Sequence, residues 1–497
     1  MIIVFGLSAA LEILLHIVKP FWRVRKVLTG LIVLGIAFSS AGLWMWHISV
    51  ASTLFLLISL YRVFNLMRMA HGLMHEDYLR RSTWRTSWRL VAVQLVVAGL
   101  MVLGHYLQIN RQTVWLGLAM LQCIMAVAIL ASTIRRLRRT AWPVSDLHLS
   151  DKELPSISVA IPARNETEDL QRCLESIVAS DYPKLEVLVL DDCSQTKRTP
   201  EIIRSFAHDG VRFIQGDVPS DTWLPKNQAY DRLTHEASGE YIVFCGADVR
   251  FKPDSLRLLV TQLLHKKKQM VSIMPQRSRQ ARARASLVQA MRYWWELAPP
   301  RRMFNRPAVL SSCWIISRQA LQKAGGFAAV TRAIVPEAHF AKELIKTDEY
   351  SFMRSSELLG IESAKAAAEQ RATAIRMRYP QLHRQPEQVW LLTVAELAFL
   401  LFPFVIGVAG FWVHFGIVTQ GLALGASLLL AVAHILIART TRVNSWWFAW
   451  VAFPFMVALD IALVHYSMWR YEFSTVDWKG RNICIPVMHV VPHLPKV

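Results

Sequence analysis

The stretch Gly239-Glu240-Tyr241-Ile242-Val243-Phe244-Cys245-Gly246-Ala247-Asp248-Val249-Arg250-Phe251 decides how this chain is read. Tyr241 to Cys245 form an apolar run of strand length, rich in β-branched and aromatic residues. A run without polar alternation suits a strand covered on both faces, as in a parallel sheet. Gly239 is expected to stop the helix before it by taking the left-handed cap position. Gly246 and Ala247 leave room for a ligand to approach the backbone. Asp248 then stands at the carboxyl end of a strand, where open α/β sheets bind ligands. An Asp that merely opens a turn explains the same residues, so the flanking sequence has to decide.

Strand and helix patterns alternate from about Leu154 onward. Ile157–Ile161 reads as a strand ending at Pro162, and Leu170–Ala179 has helical spacing with Asn165 and Glu168 set as a capping box. Leu185–Leu190 is a strand that stops at Asp191-Asp192. Thr199-Pro200-Glu201 reads as the start of a helix that Gly210 ends, with Val211–Ile214 a third strand. A helix from about Asn227 leads to the central run. This βαβαβ order implies a parallel sheet with right-handed crossovers. Met270–Met274 and Val309–Ile316 read as further strands, and Gln370–Arg378 as a basic helix.

Four short constellations fall at the strand ends: Pro162-Ala163-Arg164-Asn165-Glu166, Asp191-Asp192-Cys193-Ser194, Trp223-Leu224-Pro225-Lys226-Asn227, and Asp248. Each alone is explained by a cap or a turn. Together, on successive loops of one sheet edge, they point to a nucleoside-diphosphate site. Carboxylates and amides after the first strands suit a base and ribose, and Lys226 is a point charge suited to phosphate. Asp248 can hold Mg²⁺ or Mn²⁺, which binds through one or two carboxylates plus substrate phosphates.

The rest of the chain is of another kind. Of 497 residues, 53% are hydrophobic and 18 are Trp, too apolar for one ordinary globular protein. The net charge of +20 sits in clusters that flank apolar segments, which favours a membrane partner over nucleic acid. The six cysteines form no C-x-x-C pair, so neither a zinc site nor a disulfide framework is indicated. Residues 1–18 carry Glu12 and His16 without a basic leader, so a spanning or interfacial helix is expected there and not a cleaved signal. Val27–Trp46 and Ile48–Phe64 read as a hairpin around His47, and Leu90–Leu107 with Val114–Ile134 as a second. The basic stretches 19–26, 65–89 and 135–139 then share one side, the cytoplasm by the positive-inside rule. The domains expected are 1–139 with four to five spans, 140–388 cytoplasmic, 389–469 with two to three spans, and a basic tail, 470–497. Three full spans put that tail outside, while its charges argue for the cytoplasm.

With these residues in view, Ser156 to Arg378 resembles the family 2 glycosyltransferases of GT-A fold. They carry a similar Pro-x-Arg-Asn-Glu start, an Asp-Asp-x-Ser turn and an Asp-x-Asp at Gly246-Ala247-Asp248. A Gly-Gly-Phe, here Gly325-Gly326-Phe327, precedes an acidic pair, and membrane-bound members often end in a sequence like Trp478-Lys479-Gly480-Arg481. The resemblance implies a Rossmann-like, mostly parallel GT-A domain between N- and C-terminal transmembrane bundles. It implies an inverting transfer from a nucleotide-diphosphate sugar, with Mg²⁺ or Mn²⁺ on Asp248, to a lipid or lipid-linked acceptor. The bacterial inner membrane is the expected location. Nucleotide-sugar contacts are expected from Pro162, Arg164, Asn165, Glu166, Asp191, Asp192, Lys226, Asn227, Asp248 and Arg378.

Two departures stand out: Gly246 replaces the first Asp of Asp-x-Asp, and Ala338 replaces the Asp that usually serves as base. Glu337 is the candidate base and His339 the second. The lack of a clear Gln-x-x-Arg-Trp counts against a polysaccharide synthase. An inactive membrane scaffold is the reading from another functional class.

Overall fold

The computed structural model describes residues 2–18, 22–46, 49–71, 76–108, 110–143, 149–278, 286–299, 307–443 and 448–484. Seven strands form the main sheet. They are β1 (Ile157–Ala163), β2 (Leu185–Asp191), β3 (Val211–Gln215), β4 (Tyr241–Cys245), β5 (Met270–Met274), β6 (Cys313–Ser317) and β7 (Tyr350–Arg354). Their order is β3-β2-β1-β4-β6-β5-β7. The first four are mutually parallel, as are β5 and β7, while β6 runs antiparallel to β4 and β5.

The unalternating apolar run of β4 is explained by cover on both faces. Val243 and Cys245 pack with Leu170, Leu174 and Leu259 on one side. Ile242 and Phe244 pack with Tyr230, Trp314, Phe327 and Phe340 on the other. Phe244 stacks on Trp314 with ring centroids 4.3 Å apart, and Phe327 of the Gly-Gly-Phe meets it edge-on at 5.5 Å. Such pairs add to the plain burial of the rings.

Three local expectations need correction. Gly239 is not a helix cap: the helix Pro225–Glu236 ends at Ala237, and Gly239 is absent from the left-handed residues. Its value is close approach, because a Cβ there would stand 2.6 Å from the Ser158 nitrogen. Asn165 does not cap the next helix, which runs Glu168–Val178 with Thr167 at its start. Thr199 lies inside the helix Arg198–Ser205, and its hydroxyl exchanges hydrogen bonds with the Glu166 backbone, accepting at 2.8 Å and donating at 2.9 Å.

The chain leaves β1 for β2 and β3 on one side and returns to β4 on the other. The carboxyl ends of β1 and β4 therefore flank a topological switch point, where such sheets bind ligands.

Outside the sheet domain lie long helices. By length and composition, seven of those described could cross a membrane: 24–45, 50–71, 81–106, 111–139, 386–409, 417–440 and 449–473. The helix Ile2–Ile17 is shorter, and the turn expected at His47 lies outside the described residues. The stretch 65–89 is mostly helix and not a loop, since one helix runs to His71 and the next starts at Glu76. Buried ion pairs tie these helices together. Arg62 pairs with Glu12 at 2.7 Å and donates to Gln94 at 2.8 Å. Arg68, expected on a basic loop, is fully buried and pairs with Glu472 at 2.7 Å. The other Glu472 oxygen accepts from the Tyr379 hydroxyl at 2.5 Å.

The segments on either side of the last helix, Ala449–Phe473, both meet the sheet domain. Just before it, the Thr441 carbonyl accepts from the Arg277 amide at 3.2 Å, and Arg442 pairs with Glu362 at 2.5 Å. Just after it, Arg481 pairs with Asp192 at 2.6 Å. The tail hairpin thus packs on the sheet domain.

Arg68→Met strands the buried Glu472 carboxylate. Losing one partner of such a pair costs about 3–5 kcal/mol. A lower thermal unfolding midpoint in detergent is expected, with most of the loss regained in the Arg68→Met/Glu472→Met double variant.

Candidate active site

The β1–β2 register sets Ala163 opposite Asp191, so the turns after the two strands lie side by side. Both turns hold a residue in the left-handed region, Asn165 at φ 48° and Cys193 at φ 49°. Asn tolerates this conformation, while Cys rarely adopts it. The Asn165 Oδ1 accepts from the Gln195 amide at 2.8 Å. Asp191 folds its own turn by accepting from the Ser194 hydroxyl at 2.5 Å. Arg164 donates to the carbonyls of Asp192 at 2.6 Å, Cys193 at 2.5 Å and Lys479 at 3.0 Å. Arg164, Asn165 and Asp191 thus build the turns, and none of them lines the main cavity.

The tail clasps these turns. The short strands 477–478 and 481–482 form a hairpin whose Lys479 pairs with Glu166 and whose Arg481 pairs with Asp192 at 2.6 Å. Burial raises both carboxyls above their usual range, against the pull of those two cations. The second Asp192 oxygen is buried without a partner. Glu166 and Asp192, both expected to face a ligand, are held by the tail; Glu166 lines the cavity beside it and Asp192 does not.

Next to the clasp opens a cavity of about 320 Å³. Pro162, Glu166, Lys226, Asn227 and Asp248 stand at its sheet end. Met456, Leu459, Asp460 and Leu463 of the last helix line it as well. Arg292, Lys365 and Arg376 also belong to its wall. The Asn227 amide is used structurally, donating to the carbonyls of Val330 at 2.8 Å, Thr331 at 3.1 Å and Ala333 at 2.8 Å. The Lys226 ammonium sits 5.0 Å over the Tyr230 ring. Arg376 lies 6.0 Å over the Trp478 ring.

Asp248 accepts from the Ser363 hydroxyl at 2.7 Å. Burial works to raise its carboxyl, but the Lys365 charge, the Ser363 bond and Arg292 outweigh it and hold the group below its usual range. A Cβ on Gly246 would stand 2.7 Å from the Asp248 Oδ1, so that oxygen fills the space of the missing second carboxylate. Among the described residues no three His, Cys, Asp or Glu side chains gather as a metal cluster. One carboxylate oxygen facing the cavity, completed by substrate phosphates and water, is the minimal protein set for Mg²⁺. Asp248 fits that set and nothing richer.

Neither candidate base reaches the cavity wall. Glu337 is fully buried, and both of its carboxylate oxygens lack hydrogen-bond partners. Lys226 feels its charge more strongly than any other. The His339 ring turns to the Ala324 carbonyl at 3.3 Å. Arg378 lies away from the sheet end: it pairs with Asp460, comes within 3.8 Å of Glu396 and sits 5.2 Å over Trp295. The residues that sequence reasoning missed are Arg292, Lys365 and Asp460. In sequence they are isolated charges, and only Arg376 lay in the basic helical stretch.

Residues 158–325 match the family described as Glycosyl transferase family 2. Glycosyltransferase AglE of Haloferax volcanii is 35% identical over 99 residues, which is 19% of this chain and 31% of that protein. The 4,4'-diaponeurosporenoate glycosyltransferase of Staphylococcus aureus is 30% identical over 164 residues, 32% of this chain and 41% of that one. The chain thus spans less than half the length of these relatives. Among solved structures, mannosyltransferase PcManGT of Pyrobaculum calidifontis, in complex with GDP-Man and Mn²⁺, is 19% identical with a TM-score of 0.43, over 71% of this chain and 99% of that one. Glucosyl-3-phosphoglycerate synthase of Mycobacterium tuberculosis, with Mn²⁺, UDP and phosphoglyceric acid, is also 19% identical, with a TM-score of 0.31 over 48% and 87%.

The Lys365 ammonium is pushed down to about 8 by burial, opposed by Asp248 and reinforced by Arg292 and Arg376. It loses its proton as pH rises through that value, so anion affinity falls on the alkaline side. Isothermal titration with UDP and GDP between pH 7 and 9 is expected to show a loss of roughly tenfold, the worth of one charge-assisted hydrogen bond. Lys365→Arg flattens that dependence.

Proposed function

We propose that the family 2 glycosyltransferase domain of this membrane protein moves a sugar, with inversion, from a nucleotide-diphosphate donor to a lipid or lipid-linked acceptor at the cytoplasmic leaflet. One observation carries the reading. A single cavity joins Asp248 and Lys226 to Met456, Leu459 and Leu463 on an apolar helix. A donor diphosphate against Lys226, Arg292 and Lys365 sits in the part of the cavity around Asp248, and the apolar side chains offer a wall to an acyl or prenyl chain. The relative named for 4,4'-diaponeurosporenoate is in keeping with an apolar acceptor. A divalent ion, when bound at Asp248, supplies Lewis-acid stabilisation to the departing diphosphate. Arg85 and Arg89, near Glu387 at 3.6 and 2.8 Å, lie on the sheet-domain side with the 135–139 cluster, which supports a cytoplasmic domain.

The second reading is a nucleotide-sugar-binding scaffold without turnover. Gly246, Ala338 and the enclosed Glu337 favour it. Release of nucleoside diphosphate from a panel of donor sugars, by the purified protein in nanodiscs with membrane lipid extract, separates the two.

Asp248→Asn is expected to lower that release by about two to three orders of magnitude, the order of several kcal/mol of metal-assisted stabilisation, with an unchanged unfolding midpoint. Turnover near the wild-type level at saturating Mn²⁺ sinks the assignment. For the orientation, Lys197→Cys places a thiol at an exposed position of the sheet domain. Protection from an impermeant thiol reagent in intact cells, with labelling after permeabilisation, is the outcome that fits a cytoplasmic domain.

A further inference from the structure

An acceptor hydroxyl loses a proton as it attacks the anomeric carbon, and a positioned base takes that proton up. Ala338 stands where an acid was expected, and Glu337 and His339 lie off the cavity. The cavity has carboxylates of its own. Glu166, Asp169, Asp248 and Asp477 belong to the sheet domain and the tail, the end assigned to the donor. Glu369 is exposed near the start of the helix Ala367–Gln381. Asp460 is the carboxylate of the apolar wall. It shares the last helix with Met456, Leu459 and Leu463, the side chains offered to the apolar acceptor. Glu296, on the helix Ser286–Leu297, is the rival that the test separates.

Asp460 is held through one oxygen. Its Oδ2 accepts from the Trp295 indole at 2.8 Å and pairs with Arg378. Its Oδ1 has no donor among the described residues. Beside it stands Glu396, 1% exposed, with both oxygens lacking a hydrogen-bond partner. The two carboxyls meet at one nitrogen of Arg378, whose Nη2 lies 3.8 Å from the Glu396 Oε1. Ionisable side chains within membrane helices are costly and mark substrate or proton paths. The helix carrying Glu396 also widens from Glu396 to Leu401, an irregularity frequent at functional sites. One turn earlier, the Thr393 hydroxyl lies 3.4 Å from that of Tyr61, which also meets the His465 ring. Groups able to carry a proton thus lie on three helices next to this wall.

We infer that Asp460 is the catalytic base of the transfer and that Glu396 relays its proton. The acceptor oxygen bonds to the anomeric carbon, and its proton passes to the Asp460 Oδ1. The bond to the nucleoside diphosphate breaks, and its electron pair leaves with the diphosphate. Glu396 then takes the proton over, which frees Asp460 for the next turnover. The base comes from a membrane helix and not from the sheet domain, so Ala338 is no bar to activity. The inference rests on the transferase reading above and adds a residue to that site.

The test uses the full-length protein in nanodiscs with membrane lipid extract and the donor sugar that gives the fastest nucleoside diphosphate release. Asp460→Asn is expected to lower kcat by about 10²–10⁴-fold, the usual worth of a general base, with donor KM and unfolding midpoint unchanged. Azide is already an anion and needs no base. Sodium azide is therefore expected to restore release in Asp460→Asn, with a glycosyl azide as product. A residue that merely holds Arg378 and Trp295 in place gives no such rescue. Glu396→Gln is expected to lower kcat by less than Asp460→Asn, again without a change in donor KM. If Asp460→Asn does not fold, the wild-type protein is treated with dicyclohexylcarbodiimide, an apolar reagent for buried carboxyls. Loss of release in step with an adduct on Asp460 or Glu396 supports the inference, and full release with that adduct in place overturns it. Full turnover in Asp460→Asn, a loss that azide does not relieve, or a loss confined to Glu296→Gln overturns the inference and leaves the transferase reading standing. Absence of release from every donor by the wild-type protein overturns both.

Discussion

The β4 strand lies directly against β1, and the site depends on that contact. Gly239 lets the two chains close, because any side chain there would collide with the Ser158 backbone. Its amide donates to the Ser158 hydroxyl at 2.8 Å, and the register then pairs Ile157 with Tyr241. The carboxyl ends of both strands emerge together as a consequence. Pro162 lies near the end of one strand, Glu166 follows it and Asp248 follows the other, and they share one cavity. Moving β4 by one residue would turn Phe244 out of the aromatic layer with Trp314 and Phe327, so packing holds the register.

A second constraint comes from the buried charges that join the helices to the sheet domain. Arg68, Glu472 and Tyr379 link the third helix, the last helix and the helix Ala367–Gln381. The Ser467 hydroxyl accepts from the Tyr379 amide at 3.1 Å and donates to the Ile375 carbonyl at 2.5 Å. These contacts fix the wall that carries Arg376 against the wall that carries Asp460. The cavity is therefore a joint product of the sheet domain and the last helix, and neither alone encloses it. The clasp of Lys479 and Arg481 on Glu166 and Asp192 adds the tail as a third contributor.

The charge pattern of the cavity follows from what is missing. With Gly246 in place of a second carboxylate, Asp248 is the acid that acts most strongly on Lys365, with Glu369 a weaker second. With Ala338 in place of an acid, the adjoining helix brings no negative group to the cavity.

Much of this was legible in the sequence. The strands Ile157–Ala163, Leu185–Asp191, Val211–Gln215 and Tyr241–Cys245 are short runs rich in apolar residues, and their alternation with helices implies crossovers and a switch point. The membrane helices are equally plain, because twenty apolar residues have few other fates. The positions of Asp248 and Lys226 follow from local spacing. What the sequence could not decide is where distant charges meet. Lys365, Arg292 and Asp460 are ordinary residues until two helices and a loop bring them to one wall. Arg378, expected with the nucleotide, lines the same cavity and pairs there with Asp460 of the last helix. The last helix is apolar enough to span, yet the segments before and after it meet the sheet domain through Arg442 and Arg481. Composition determines that a segment can enter a membrane, and long-range ion pairs determine which parts of the fold its flanking segments meet.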